Sequence, residues 1–225
     1  MKGKLYCVRH GQSEWNKLNL FTGWVDVSLS ENGIEEAKKV GDLLENVEFD
    51  VVFTSNLIRA EMSAMLILSK NKFNKVPYRM HEQDSVNYEI HDKEILKTLL
   101  PVFQSDALNE RMYGQLQGMN KDVARKKFGE EQVHLWRRSY DQNPPGGESL
   151  KMTKARTIPY FENRILPYLK KGKTVLIVAH GNSLRSIIMD LMKMTEEQIL
   201  KYELATGEPV YLELEKNIWT LKPLS

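Results

Sequence analysis

The chain has 225 residues, 41% of them hydrophobic, and its 32 basic and 30 acidic side chains leave a formal net charge of +2. This length and composition suit one globular domain, residues 1–225, with a substantial buried core, and they argue against wholesale disorder. The balance of charge gives no reason to expect general nucleic-acid binding, although it permits a local cationic pocket for a small anion.

The sequence also predicts where the protein resides. Cys7 is the only cysteine, so an internal disulfide is excluded. No run approaches the roughly 20 apolar residues that a membrane helix needs, and the apolar stretch near the N-terminus is too short for a signal peptide. We therefore expect a cytoplasmic protein that does not bind membranes.

Three short apolar runs, residues 5–8, 50–54 and 174–179, predict strands that are buried on both faces. A helical pattern follows each run: one begins after Ser30, a suitable N-cap, and the others cover residues 57–68 and 183–193. Strands that alternate with helices predict an α/β fold, in which a mainly parallel central sheet is flanked by helices on both faces.

The middle of the chain is less regular. An apolar run at 95–103, within the mixed polar stretch 71–106, predicts a helix near 92–100. The sequence Asn-Pro-Pro-Gly-Gly at 143–147 predicts a turn. Ser149 is a suitable cap for a helix that runs toward Arg164.

Each predicted strand ends beside residues that can bind or transfer a phosphoryl group. His10 follows the first strand, Arg59 lies four residues after Ser55 at the end of the second, and His180 follows the third. Ligands of open α/β sheets bind beyond the carboxyl ends of the strands. Adjacent parallel strands would therefore bring His10, Arg59 and His180 together.

His10 is the candidate nucleophile. A neutral imidazole can attack phosphorus, Arg9 can hold the phosphoryl oxygens, and Gly11 leaves room for a close backbone approach. His180, also followed by glycine, would stabilise charge on the transferring oxygens. Taken alone, the Arg-His-Gly tripeptide also suits an ordinary strand-end turn, and His180 also suits a structural histidine.

Other polar residues carry weaker signals. Glu110 could serve as a general acid and base, but a surface carboxylate would look the same. The pair Arg137 and Arg138 is usually a solvent-facing feature, yet it could reach a second anion. The five histidines are scattered without a tight cluster of carboxylates, so we expect no metal site.

Longer motifs make a family resemblance visible. They include Phe-Thr-Gly-Trp at 21–24, Asn-Glu-Arg-Met-Tyr-Gly at 109–114 and Trp-Arg-Arg at 136–138, and further blocks lie at 8–16, 29–33, 54–60 and 178–185. The sequence resembles the cofactor-dependent phosphoglycerate mutases of the histidine phosphatase superfamily. Arg-His-Gly with a late His-Gly indicates only the superfamily, whereas the three named motifs are more specific to the mutases.

The resemblance implies a role for each matching residue. His10 would carry the phosphoryl group, with Arg9, Arg59 and His180 around it, and Glu110 would donate and accept the proton. The implied substrate ligands are Gly11, Gln12, Ser13, Asn16, Thr22, Gly23, Arg111, Met112, Tyr113, Lys121, Arg137, Arg138, Gly181 and Asn182. Met112 departs from the family, which usually has histidine there.

The function implied by the resemblance is the interconversion of 3-phosphoglycerate and 2-phosphoglycerate in glycolysis and gluconeogenesis. It would run through a phosphohistidine primed by 2,3-bisphosphoglycerate, without a metal, and the resemblance leaves open a homo-oligomer, as a dimer or a tetramer. One alternative is a histidine phosphatase that hydrolyses small phosphate esters, which would not need a second anion site at Lys121, Arg137 and Arg138. The other is a non-catalytic anion-binding protein, which would not need a nucleophile.

Overall fold

The computed structural model describes residues 1–81, 90 and 92–224. Within them, seven strands form a single sheet: β1 Gly3–Arg9, β2 Val51–Thr54, β3 Val76–Met80, β4 Leu99–Gln104, β5 Thr174–Ala179, β6 Val210–Glu215 and β7 Ile218–Lys222. Their spatial order is β3-β4-β2-β5-β1-β6-β7. The first five strands of that order are parallel, and β6 and β7 add an antiparallel hairpin at one edge.

The α-helices of the described chain are α1 Glu14–Lys17, α2 Glu31–Leu43, α3 Ile58–Leu68, α4 Lys93–Lys97, α5 Lys121–Phe128, α6 Glu130–Arg138, α7 Leu150–Tyr160, α8 Leu166–Lys170, α9 Gly181–Leu191 and α10 Glu196–Lys201. A π-helical turn, Phe161–Ile165, joins α7 to α8. Short 3-10 turns cover Asp106–Leu108 and Gly114–Leu116. No described helix has the length and apolar character needed to cross a membrane.

Two apolar clusters cover the two faces of the sheet. Successive side chains of a strand point to opposite faces, so Leu5 and Cys7 pack in one cluster while Tyr6 and Val8 pack in the other. The first cluster receives residues of the π-helical turn, α8 and α9, and the second receives residues of α2 and α3. The expected α/β fold, with helices on both faces of a mainly parallel sheet, is confirmed.

Several local predictions are confirmed as well. The three apolar runs form β1, β2 and β5, which are neighbours in the sheet. Ser30 caps α2 by accepting a hydrogen bond from the backbone N–H of Gly33 at 3.2 Å, and Ser149 caps α7 through Met152 at 3.2 Å.

The prediction of a helix near 92–100 is wrong in its second half. Asp92 caps a short helix, α4, which ends at Lys97, and β4 begins at Leu99. Leu100 and Val102 alternate into the core, where β4 pairs with β2 and β3. A short apolar run fits a buried helix and a buried strand equally well, and here pairing with the sheet decides. Residues 82–89 and 91, within the mixed polar stretch 71–106, lie outside the described residues.

Candidate active site

A cleft of about 180 Å³ opens beyond the carboxyl ends of β1, β2 and β5. His10 and His180 follow β1 and β5, and the centroids of their rings are 4.8 Å apart. Arg59, in the first turn of α3, lines the same cleft together with His10. The topology thus brings together three residues that are far apart in the sequence, because parallel neighbouring strands end at one edge of the sheet.

The geometry of His10 suits a nucleophile. Its ring is buried, and Nδ1 lies 2.6 Å from the carbonyl oxygen of Gly11. Because a carbonyl oxygen can only accept, Nδ1 must carry the ring hydrogen, which leaves the lone pair of Nε2 available. Burial, reinforced by the positive charges of Arg59 and Arg9, holds the pKa of His10 well below its ordinary value, so the ring is neutral at neutral pH.

The ring of His180 packs against the ring of His10 and is fully buried. Its Nε2 is 2.7 Å from the hydroxyl oxygen of Ser55, which also accepts the backbone N–H of Leu57 at 3.2 Å. When Ser55 donates its hydroxyl hydrogen to Nε2, Nδ1 carries the ring hydrogen and has no partner in the protein. Burial and the charge of Arg59 lower the pKa of His180 well below its ordinary value.

Backbone carbonyl groups fix Arg59 and Arg9, the two arginines whose charges act on His10. Arg59 donates from Nη1 to the carbonyl of Val25 at 2.9 Å and from Nη2 to that of Gly23 at 2.7 Å. Arg9 donates from Nη1 to the carbonyl of Leu204 at 2.8 Å. Burial lowers the pKa of Arg59 to about 10, which still leaves the guanidinium charged at neutral pH.

The carboxylate of Glu110 faces the cleft at the N-terminus of α9. Its Oε1 accepts the backbone N–H of Arg111 at 2.7 Å, the side-chain amide of Asn182 at 2.8 Å and the backbone N–H of Asn182 at 3.3 Å. These bonds all engage Oε1. The second oxygen, Oε2, is therefore the one that this arrangement leaves for proton exchange.

A second group of basic side chains lines the cleft on the α5 and α6 side. Arg111 donates from Nη2 to the hydroxyl of Tyr113 at 3.1 Å and to the carbonyl of Arg137 at 2.9 Å. Burial and the charges of Arg137 and Arg9 lower the pKa of Lys121 to about 8. Arg138 forms an ion pair with Glu203 at the wall of the cleft.

Most of the residues expected from the sequence line this cleft. They are Arg9, His10, Asn16, Thr22, Gly23, Arg59, Glu110, Arg111, Tyr113, Lys121, Arg137, Arg138, Gly181 and Asn182. His180 is not among the lining residues, but its ring packs against that of His10.

Four expected substrate ligands lie outside the lining. Gly11 packs against α2, where a Cβ atom would come within 2.2 Å of the Gly33 carbonyl oxygen. The backbone and side-chain oxygens of Gln12 accept hydrogen bonds from Ser30. Ser13 caps α1, and the backbone N–H of Met112 donates to Glu148 at 3.0 Å. These residues therefore support the loops around the cleft.

Sequence reasoning assigned no role to five further lining residues: Leu20, Phe21, Arg185, Glu203 and Leu204. Arg185 falls within the sequence block 178–185, so the resemblance contained a signal for it. The sequence contains no signal for Glu203, because its partner Arg138 lies 65 residues away and only the fold brings the two together.

Unpartnered buried donors are concentrated at the cleft. Six buried side-chain atoms of the described chain lack a hydrogen-bond partner: Arg9 Nε, Thr22 Oγ1, Arg111 Nε, Arg111 Nη1, His180 Nδ1 and Arg185 Nε. Each belongs to a residue that lines the cleft or touches His10. Buried polar atoms are nearly always paired, so this set fits an oxygen-rich anion that accepts from several of them at once. The described residues contain no cluster of three or more potential metal ligands.

Comparisons with known proteins agree with this geometry. A sequence model of the histidine phosphatase superfamily, branch 1, matches residues 5–96 and 92–225. The chain belongs to the histidine phosphatase superfamily. Within it, a 2,3-bisphosphoglycerate-dependent phosphoglycerate mutase of Chlamydia muridarum is 52% identical over 98% of each chain. The protein of the same name from Protochlamydia amoebophila is 56% identical over 95% of this chain and 96% of its own.

Solved structures support the fold. The α-ribazole phosphatase of Shigella flexneri superposes with a TM-score of 0.76 at 24% identity, over 98% of this chain and 95% of the other. A mycobacterial glucosyl-3-phosphoglycerate phosphatase gives a TM-score of 0.77 at 22% identity, over 98% and 97% of the two chains. At these identities the likeness shows the shared architecture alone.

Proposed function

We propose that this protein is a 2,3-bisphosphoglycerate-dependent phosphoglycerate mutase that interconverts 3-phosphoglycerate and 2-phosphoglycerate. The observation that carries the proposal is that one cleft combines the neutral nucleophile His10, the carboxylate of Glu110 and unpartnered hydrogen-bond donors suited to an anion. The names of relatives more than 50% identical over nearly the whole chain support the substrate. We also propose that residues 1–225 act as one domain. A cytoplasmic location and a homo-oligomeric state stay predictions.

The proposed chemistry begins with attack by Nε2 of His10 on a phosphoryl group of 2,3-bisphosphoglycerate. The P–N bond forms, the P–O bond breaks, and Glu110 gives its proton to the departing alkoxide oxygen. In the reverse direction, Glu110 removes the proton of an acceptor hydroxyl, whose oxygen takes the phosphoryl group from His10. Arg9, Arg59 and the free Nδ1–H of His180 stabilise the charge on the transferring oxygens.

The second group of cations favours a mutase over a hydrolase. A mutase must retain the bisphosphate intermediate while it reorients, so it needs contacts with the end of the substrate that is not reacting. Arg111, Lys121 and Arg137 supply such contacts in the proposed complex. The unpartnered Nε and Nη1 of Arg111 are suitable donors for a carboxylate or a second phosphate. The same donors fit 2,3-bisphosphoglycerate as the priming ligand.

His10→Asn tests the proposal. The wild-type protein, incubated with 2,3-bisphosphoglycerate, should form an acid-labile phosphoryl adduct and convert 3-phosphoglycerate to 2-phosphoglycerate. The variant should lose both properties, because asparagine offers no nucleophilic nitrogen. His134→Asn, on the exposed surface of α6, is the matched control and should retain both. Release of inorganic phosphate without 2-phosphoglycerate would instead identify a phosphatase.

A further inference from the structure

One arginine holds the loop that carries Glu110 from behind. Arg156, on α7, uses Nη1 and Nη2 to donate to four carbonyl groups of that loop. The acceptors are Asp106 at 3.1 Å, Ala107 at 2.9 Å, Asn109 at 3.0 Å and Glu110 at 3.0 Å. Because the guanidinium is planar and rigid, it fixes these carbonyl groups relative to one another.

Glu148 fixes the arginine and the other end of the loop. Its Oε1 accepts from Nε of Arg156 at 2.8 Å, and its Oε2 accepts from Nη2 at 2.9 Å. The backbone N–H of Met112 also donates to Oε2 at 3.0 Å, and the Met112 carbonyl accepts the backbone N–H of Glu148 at 2.8 Å. The two side chains therefore hold the backbone on both sides of Glu110. We call this pair of residues the Arg156–Glu148 clamp.

Trp24 completes this support. Its indole N–H donates to the carbonyl of Glu110 at 2.6 Å, and its ring centroid lies 5.4 Å from Cζ of Arg156. Neither Arg156 nor Glu148 lines the cleft, so neither is placed to contact a substrate there. Their contacts instead converge on the backbone of Glu110.

We propose that Arg156 and Glu148 are positioning residues that orient the Glu110 carboxylate for proton transfer. The inference rests on the proposed function, in which Glu110 protonates the departing oxygen and deprotonates the acceptor hydroxyl. Bonds to Oε1 alone leave the loop free to tilt, and a tilt would move Oε2 away from the reacting oxygen. The clamp removes that freedom, and a misplacement of about 1 Å can cost about 100-fold in rate.

The choice of phosphoryl donor separates proton transfer from attack by His10. The alkoxide that leaves 2,3-bisphosphoglycerate is strongly basic and needs a proton from Glu110. The phenolate that leaves p-nitrophenyl phosphate is stable without one. A defect confined to proton transfer should therefore slow formation of the phosphoenzyme from the first donor and spare the second.

The experiment measures single-turnover formation of phosphohistidine from both donors in wild type, Glu110→Gln, Arg156→Lys and Glu148→Gln. Lysine keeps the positive charge of Arg156 but lacks the planar set of N–H donors of a guanidinium. Glutamine keeps the shape of Glu148 but lacks its charge. We expect both clamp variants to lose about 10- to 100-fold with 2,3-bisphosphoglycerate and less than about threefold with p-nitrophenyl phosphate. Lys154 lies on the same helix as Arg156 and forms an ion pair with Asp190 of α9, so Lys154→Gln is the matched control and should change neither rate.

The outcomes distinguish the inference from the function on which it rests. If Glu110→Gln shows the donor selectivity and the two clamp variants do not, the positioning role is wrong. If Glu110→Gln itself shows no selectivity, Glu110 is not the proton donor and the inference fails, whereas the mutase function is tested separately by His10→Asn. Equal losses with both donors in the clamp variants would indicate a general structural role and overturn the inference.

A double variant adds an independent check. If Arg156 acts through Glu110, Arg156→Lys should cost little in a Glu110→Gln background, because the group that it positions is already missing. An additive loss with 2,3-bisphosphoglycerate would contradict the proposal.

Discussion

At the scale of single residues, burial among like charges sets the protonation states of the site. His10 stays neutral because its ring is removed from water and faces two arginines, and a neutral ring is the reactive form. The same cause acts on Lys121, whose pKa falls to about 8. For His10 the lowered pKa favours the reactive form, whereas for Lys121 it weakens function, because binding of an anion needs the protonated ammonium.

We therefore predict that kcat/KM for 3-phosphoglycerate falls as the pH rises through about 8, where Lys121 of the free enzyme loses its charge. In Lys121→Arg the guanidinium stays charged, so this fall should disappear from the profile. The measurement is kcat/KM from about pH 7 to about pH 9.5 for both proteins, with 2,3-bisphosphoglycerate saturating. Superposable profiles would show that Lys121 does not bind the substrate anion.

At the scale of elements, the loop after β1 is packed directly against α2. A Cβ atom on Gly33 would lie 2.0 Å from the carbonyl oxygen of Gln12, and one on Gly11 would lie 2.2 Å from that of Gly33. No side chain fits between these two backbones. The contact matters for the site, because the carbonyl of Gly11 fixes the ring of His10.

Gly33→Ala should accordingly destabilise the protein by about 1–3 kcal/mol, even though alanine is the better helix former. It should also slow phosphorylation of His10 by moving the carbonyl of Gly11. Gly41→Ala, on the same helix, is the matched control: its Cβ would meet Cγ of the flexible Lys70 side chain at 2.8 Å, which can move, and the backbone oxygen of Ile67 only at 3.0 Å. Urea unfolding of the three proteins measures the difference, and a Gly33→Ala protein as stable as Gly41→Ala would refute this account of the packing.

At the scale of the whole molecule, the sheet buries two titratable rings side by side. The pKa values of His10 and His180 are both depressed in the folded state. As the pH falls below about 6.5, the unfolded chain binds protons at these rings while the folded chain does not. The free energy of unfolding must therefore fall as the pH falls below about 6.5. Above that pH both rings are neutral in either state, and the full stability is present.

Each ring contributes a slope of up to about 1.4 kcal/mol per pH unit. We predict that the free energy of unfolding drops steeply between about pH 6.5 and about pH 5.5 in the wild type, and less steeply in a His10→Asn, His180→Asn double variant. Denaturant titrations at several pH values measure both slopes, with the exposed His134→Asn as the control. Equal slopes in the wild type and the double variant would mean that the two rings are protonated in the folded state.

The sequence determined the features that depend on short stretches of chain. Continuous apolar runs predicted β1, β2 and β5, and hydroxyl side chains marked the starts of α2 and α7. Because parallel strands end at a common edge, the residues that follow them could be expected to meet, and His10, Arg59 and His180 do line or flank one cleft. The motifs around them predicted the superfamily.

Tertiary structure alone decided what depends on contacts between distant residues. Residues 99–104 form a strand because they pair with β2 and β3. The Gly11 carbonyl decides which ring nitrogen of His10 carries the hydrogen. The fold also places Arg156 against the backbone of Glu110, which is 46 residues away in the sequence. Periodicity and capping report the backbone of one segment. The direction of a side chain and its partners follow from how the segments pack, which no local pattern encodes.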